Sequence, residues 1–189
     1  TGITGNKSLR QRVTDAKNSL NSLGNLYTSS SKKGELYAIK AYSSKNPQEF
    51  VTNDLTKSEL INLYETYFVP EEKPPREIYE KLLNSAKESC PFCGGIGTPR
   101  NLDHFLPKSH FPQFSIFPFN LVPACRDCNM DGKSAIYATY AEQQIIQPYL
   151  DNDIFFLDQW IFAEYKESIA GDPGEFRYYV STPLAWKET

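Results

Sequence analysis

The stretch "LDHFLPKSHF", residues 102–111, holds both histidines of a 189-residue chain, and a carboxylate, Asp103, stands directly before the first, His104. A neutral imidazole can take a proton from water, because its pKa lies near working pH. Around the stretch lie the four cysteines, as "CPFC" (Cys90, Cys93) and "CRDC" (Cys125, Cys128). Two C-x-x-C knuckles can close a tetrahedral zinc site, and four thiolates leave zinc no open position for water. Such an ion shapes a fold and does not catalyse. Its binding free energy replaces core burial that a segment of about 45 residues lacks. Two disulfides are the alternative for an even count. However, a chain of this length needs no covalent staples, and paired knuckles point to a reducing, cytoplasmic setting.

Between the knuckles, "RNLDHFL" and "FSIFPFNLV" read as two short strands joined by a Pro-containing loop. "ACRDCNMDGKSA" then reads as the start of a helix. Zinc would pin both ends of this ββα unit, on which Asp103, His104, Asn120 and Asn129 could converge. Those residue types can hydrolyse a phosphodiester with a hard divalent cation, since a carboxylate and an amide oxygen suit Mg2+. Taken singly, Asn120 reads as a turn cap and Asn129 as a helix-surface residue. His110, in the loop between the strands, reads as structural. Phe105, Phe111, Phe114, Phe117 and Phe119 read as core rather than as platforms for stacked bases.

The strings "LDHFLPKS", "NLVPAC" and "CRDCNMDGKS", in this order and spacing, resemble the HNH (ββα-metal) endonuclease family, in its four-cysteine zinc subgroup. The resemblance covers residues 88–134 and thins in the flanks. It implies that His104 is the general base and that Asp103 and Asn129 ligate a catalytic Mg2+ or Mn2+. It implies that Asn120 bonds the backbone near His104 and fixes the imidazole's orientation and tautomer. Asn129 stands where many members have a final histidine, so the pattern is His-Asn-Asn, as in the HNH domains of RNA-guided DNA nucleases. Loss of that imidazole shifts the site toward oxygen-loving cations. In-line attack by water would leave 5′-phosphate and 3′-hydroxyl ends. Arg126 and Lys133, extended by Lys108 and Arg100, are the candidate nucleic-acid contacts.

The elements that must position these groups are mostly helical upstream. Leu9, Val13, Ala16, Leu20 and Leu23 recur at helical spacing over 6–23, with Gly24 as a stop. "TSSSKKGE" reads as a turn. Thr56 and Glu59 form a T-x-x-E capping box before a face of Leu60, Leu63, Tyr64 and Tyr67. Pro75 opens a further helix expected to bury Ile78, Leu82 and Ala86. Downstream, "FRYYV" has strand character. The expected class is α+β: a helical arm over 1–87, a zinc-stapled ββα-metal core over 88–140, and an acidic α+β region over 141–189 packed on that core.

Charge bounds the partners. Residues 1–87 carry a net +3, 88–134 zero and 135–189 −6, for −3 overall. An autonomous nucleic-acid binder would be more basic. Few phosphates would be neutralised, so sequence specificity and unaided affinity are expected to be slight. No apolar run reaches the roughly 20 residues of a membrane span and no signal peptide is visible. The chain opens without Met, which leaves the true start open. The expected function is a metal-dependent endonuclease acting on DNA presented by a partner or associated domain. By analogy with family members of this size, it would sit in a bacterial anti-phage defence or mobile-element system, beside an ATPase in some cases. The alternative is a catalytically silent zinc-finger module that binds nucleic acid or protein.

Overall fold

Asn6 starts the first helix by accepting the Leu9 amide at 2.9 Å, which satisfies one of the unpaired N–H groups at a helix start. The structure, a computed structural model, describes residues 2–133, 135–168 and 172–188. Its secondary structure is mixed α+β with small two-stranded sheets, and it falls into two compact units, Thr1–Leu150 and Asp151–Thr189.

In the first unit, α1 (Lys7–Asp15) and α2 (Lys17–Lys32) replace the one helix expected over 6–23. Gly24 does not stop α2 but lies buried inside it. A Cβ there would stand 2.8 Å from the Phe117 ring, so glycine is needed for close approach and not for a turn. "TSSSKKGE" is accordingly helical up to Lys32, and the turn falls on Gly34, whose φ is +68°. A short hairpin of β1 (Phe50–Thr52) and β2 (Leu55–Thr56) leads into α3 (Lys57–Asn62). The capping box is present: Thr56 accepts the Glu59 amide, and Glu59 accepts the Thr56 amide at 3.0 Å. Such a cap contributes about 1 kcal/mol. Glu59 also pairs with Arg12, which fastens α1 to α3.

Helix α3 continues as a π-helical turn, Leu63–Phe68, that buries Leu63, Tyr64 and Phe68. Helix α4 (Arg76–Asn84) follows Pro75 as expected. Its buried residue is Tyr79, whereas Ile78 is 49% exposed and Ala86 lies beyond the helix end. Strands β3 (Asn101–His104) and β4 (Leu121–Ala124) pair antiparallel, with Asp103 opposite Val122 and His104 opposite Leu121. The second strand is shorter than expected. "FSIFPFN" forms tight turns instead, at Pro112–Phe114 and Pro118–Asn120, because each proline fixes a turn-compatible φ. After β4 a seven-residue π-helical turn runs Asp127–Lys133, while Ser134 of the same motif lies outside the described residues.

Three apolar clusters hold the unit together. The central one joins Tyr27 of α2 to Phe105, Phe111, Phe114 and Val122, with Tyr27 edge-on to Phe114 at 5.0 Å. Each such side chain, fully buried, contributes roughly 1.5–3 kcal/mol. Four of the five central phenylalanines pack as core; Phe119 is 43% exposed. Thus the arm over 1–87 and the central segment share one core rather than forming separate domains. Residues 141–150 belong to it as well. Gln147 is fully buried, donates to the Phe119 carbonyl at 2.5 Å and accepts the Tyr149 and Leu150 amides. The second unit carries a short helix, α5 (Ile154–Leu157), and a hairpin of β5 (Ile161–Lys166) with β6 (Glu175–Val180), which contains "FRYYV". Among the described residues, no helix is long and apolar enough to cross a membrane.

Candidate active site and metal centre

The four cysteines converge although 31 residues separate the knuckles. Their Sγ atoms all lie within 4.8 Å of one another, and Cys93 and Cys125 are 4.0 Å apart. A tetrahedral ion with bonds of about 2.3 Å needs sulfurs just under 4 Å apart, so this donor set fits a metal such as zinc. All four thiols are free, and 4.0 Å is twice a disulfide bond of about 2 Å. The backbone builds the cage. Gly94 and Gly95 take φ of +64° and +90°, which turns the first knuckle back on itself. The Gly97 amide donates to Cys93 Sγ at 3.2 Å and the Cys125 amide to Cys90 Sγ at 3.4 Å. The first of these draws the Cys93 thiol down to about 7. A Cβ on Gly97 would stand 2.6 Å from Cys125 Sγ, so only glycine fits there.

Asp103, His104 and Asn129 line one cleft of about 600 Å³, together with Tyr64, Lys108 and Met130. The His104 ring sits edge-on to Tyr64 of the π-helical turn at 4.4 Å, and Nε2 donates to the Ser115 carbonyl at 2.9 Å. Ser115 is fixed in turn by its hydroxyl, which donates to the Leu60 carbonyl. With the proton on Nε2, Nδ1 is the basic nitrogen. Burial pulls the imidazole down to about 4, against the Ser115 bond, so it is neutral at pH 7.

Asp103 lines the same cleft and approaches the Asp127–Lys133 turn. Its Oδ2 lies 3.1 Å from Lys133 Nζ, off-axis, and receives no well-aligned hydrogen bond. Lys133 Nζ donates to the His104 carbonyl at 2.6 Å. Both side chains are 8% exposed, and burial raises the Asp103 pKa and lowers that of Lys133 more than their attraction restores. Lys133 therefore corrects the expectation of a solvent-facing phosphate contact: its charge is spent inside the protein.

Asn120 is fully buried. Its Oδ1 accepts the Leu106 amide at 2.7 Å, and Nδ2 donates to the carbonyls of Leu106 (3.0 Å) and Phe114 (3.2 Å). It thus grips the chain two residues beyond His104. Asn129 donates through Nδ2 to Asn101 Oδ1 at 3.0 Å, which leaves its own Oδ1 as the atom to offer a cation. A buried carboxylate oxygen short of hydrogen bonds and an amide oxygen on the same cleft suit a hard divalent ion. Lys108 pairs with Glu65 at 2.9 Å, whereas Arg100 and Arg126 are exposed. His110 lies apart from the cleft, its Nδ1 3.1 Å from Ser43 Oγ and its ring against Tyr137. Ser115 and the buried role of Lys133 had no local signal, while Tyr64 was visible only as an apolar helix position.

The chain is similar to Protein ea31 of Escherichia phage lambda, with 43% identity over 158 residues, or 84% of its length. It spans about half, 52%, of that phage protein. No family model matches the chain, and no solved structure does.

Proposed function

We propose that this chain is a metal-dependent endonuclease of the HNH type, with zinc on Cys90, Cys93, Cys125 and Cys128 and a transient Mg2+ or Mn2+ on Asp103 and Asn129. The observation that carries the reading is that Asp103, His104 and Asn129 share one cleft while Asn120 grips the backbone of Leu106. A divalent cation there supplies neutralisation of the phosphate under attack. His104 holds the water and takes its proton at Nδ1, with Ser115 keeping the ring in that tautomer. Asn120 holds the strand end that carries the base. Exposed Arg100 and Arg126 contact phosphates, and a partner or a further domain delivers the DNA, since the central segment is neutral. The similarity to a phage protein supports a mobile-element or defence setting.

A second reading, a silent zinc module that binds nucleic acid or protein, draws on a specific observation: the Asp103 carboxylate is already paired with Lys133. Nicking of supercoiled plasmid separates the two. The nuclease reading predicts Mg2+- or Mn2+-dependent nicking that His104→Ala abolishes while zinc content is unchanged. Absence of cleavage with any divalent ion, alone or with added partner, selects the silent module.

A further inference from the structure

We infer that Lys133 is a resident counter-cation of the cleft, whose ammonium holds the Asp103 carboxylate until a divalent ion displaces it. The inference rests on the nuclease reading above, because it concerns how that cleft admits its metal. Three observations carry it. First, Nζ lies 3.1 Å from Asp103 Oδ2, where a hard cation would otherwise sit, and both side chains are almost wholly buried. Second, the same ammonium donates to the His104 carbonyl at 2.6 Å, so one lysine bridges the two residues that matter most to the cleft. Third, Lys133 lines a separate, mostly apolar cavity of about 480 Å³ with Phe92, Phe105 and Ile136. That cavity gives its aliphatic stem a place to go when the head group leaves Asp103.

An ammonium and a divalent ion repel when both sit within about 4 Å of one carboxylate in a poorly solvated cleft. Metal binding therefore costs the displacement of Lys133, and the site stays closed to divalent ions at low concentration. Lys133 acts through Asp103 and is a positioning residue, not a catalytic one.

The test is Mn2+ binding to the zinc-loaded full chain, read by loss of the free-ion electron paramagnetic resonance signal. Lys133→Met should bind Mn2+ roughly tenfold or more tightly than wild type, because the competing charge is gone. Lys133→Arg should stay near wild type, and the double variant Asp103→Asn with Lys133→Met should lose the site. Equal or weaker binding by a folded Lys133→Met overturns the inference. If that variant does not fold in metal-free buffer, Mn2+ should restore the folded state, and failure to do so also overturns it. Plasmid nicking on the same samples separates the two claims. Wild-type nicking that depends on His104, with no gain in Mn2+ affinity on removing Lys133, sinks this inference and spares the nuclease reading. Absence of nicking together with absence of Mn2+ binding sinks both.

Discussion

The thiol centre and the oxygen cleft lie on the same short segment, yet they treat their polar atoms in opposite ways. At the thiol centre four Sγ atoms crowd together, and among the described residues two backbone amides donate to them. Four such groups cannot all ionise so close together unless a cation sits among them. In the cleft His104 is bonded to Ser115, Asn120 to Leu106 and Asn129 to Asn101, while Asp103 is ion-paired with Lys133 although its Oδ2 lacks a well-aligned hydrogen bond. The first arrangement could hold a metal ion, and the second is already paired internally. The difference teaches that crowded like groups call for a cation, whereas internally paired groups do not require one.

The comparison breaks most easily at the thiols. Cys90→Ser, or removal of metal by chelation, should abolish cooperative unfolding of the first unit. Structural zinc sites hold their folds with on the order of 10 kcal/mol, and circular dichroism melts would show the loss. Asn120→Ala should cost roughly 3–5 kcal/mol in urea unfolding, because it strands the Leu106 amide and two carbonyls in a buried place. Zinc content should survive that change.

The cleft also predicts a dependence on pH. The folded pKa of His104, about 4, lies below the unfolded value near 6.5, so the unfolded chain binds the proton first. The associated stability is complete above about pH 6.5 and is lost as pH falls toward 4. Between pH 7 and 4.5 wild type should lose about 2–3 kcal/mol more than His104→Gln in matched urea titrations. Glu59 titrates lower still, near 2, because Arg12 holds it charged, and so does not blur that window. Smallest is Asn129→Ala, which should change stability by less than about 1 kcal/mol, since it removes one half-buried hydrogen bond. An effect as large as that of Cys90→Ser would erase the distinction between the two centres.

Local signals in the sequence were enough for several parts of this architecture. The capping box of Thr56 and Glu59 depends on residues three apart, and the structure forms it. The knuckles announce themselves by spacing, and their sulfurs meet. The bonds of Asn120 to the loop after β3 are what the HNH resemblance implies, whereas Asn120 taken alone reads as a turn cap. What stayed hidden depends on tertiary approach. Nothing near Gly24 says that Phe117 will press against it, so a helix interior read as a helix end. Nothing near Lys133 says that Asp103 will lie 3.1 Å away, so a buried cation read as a surface one. The phenylalanine- and proline-rich run before Asn120 satisfied strand statistics, while its prolines chose turns.

The most direct test of two unlike ions is anomalous diffraction from crystals soaked in Mn2+, collected at the zinc and manganese edges. The account predicts a zinc peak among Cys90, Cys93, Cys125 and Cys128, and a separate manganese peak between Asp103 and Asn129 with Lys133 swung away. Manganese found only among the sulfurs, or no second peak with Lys133 still seated on Asp103 at saturating Mn2+, would contradict it.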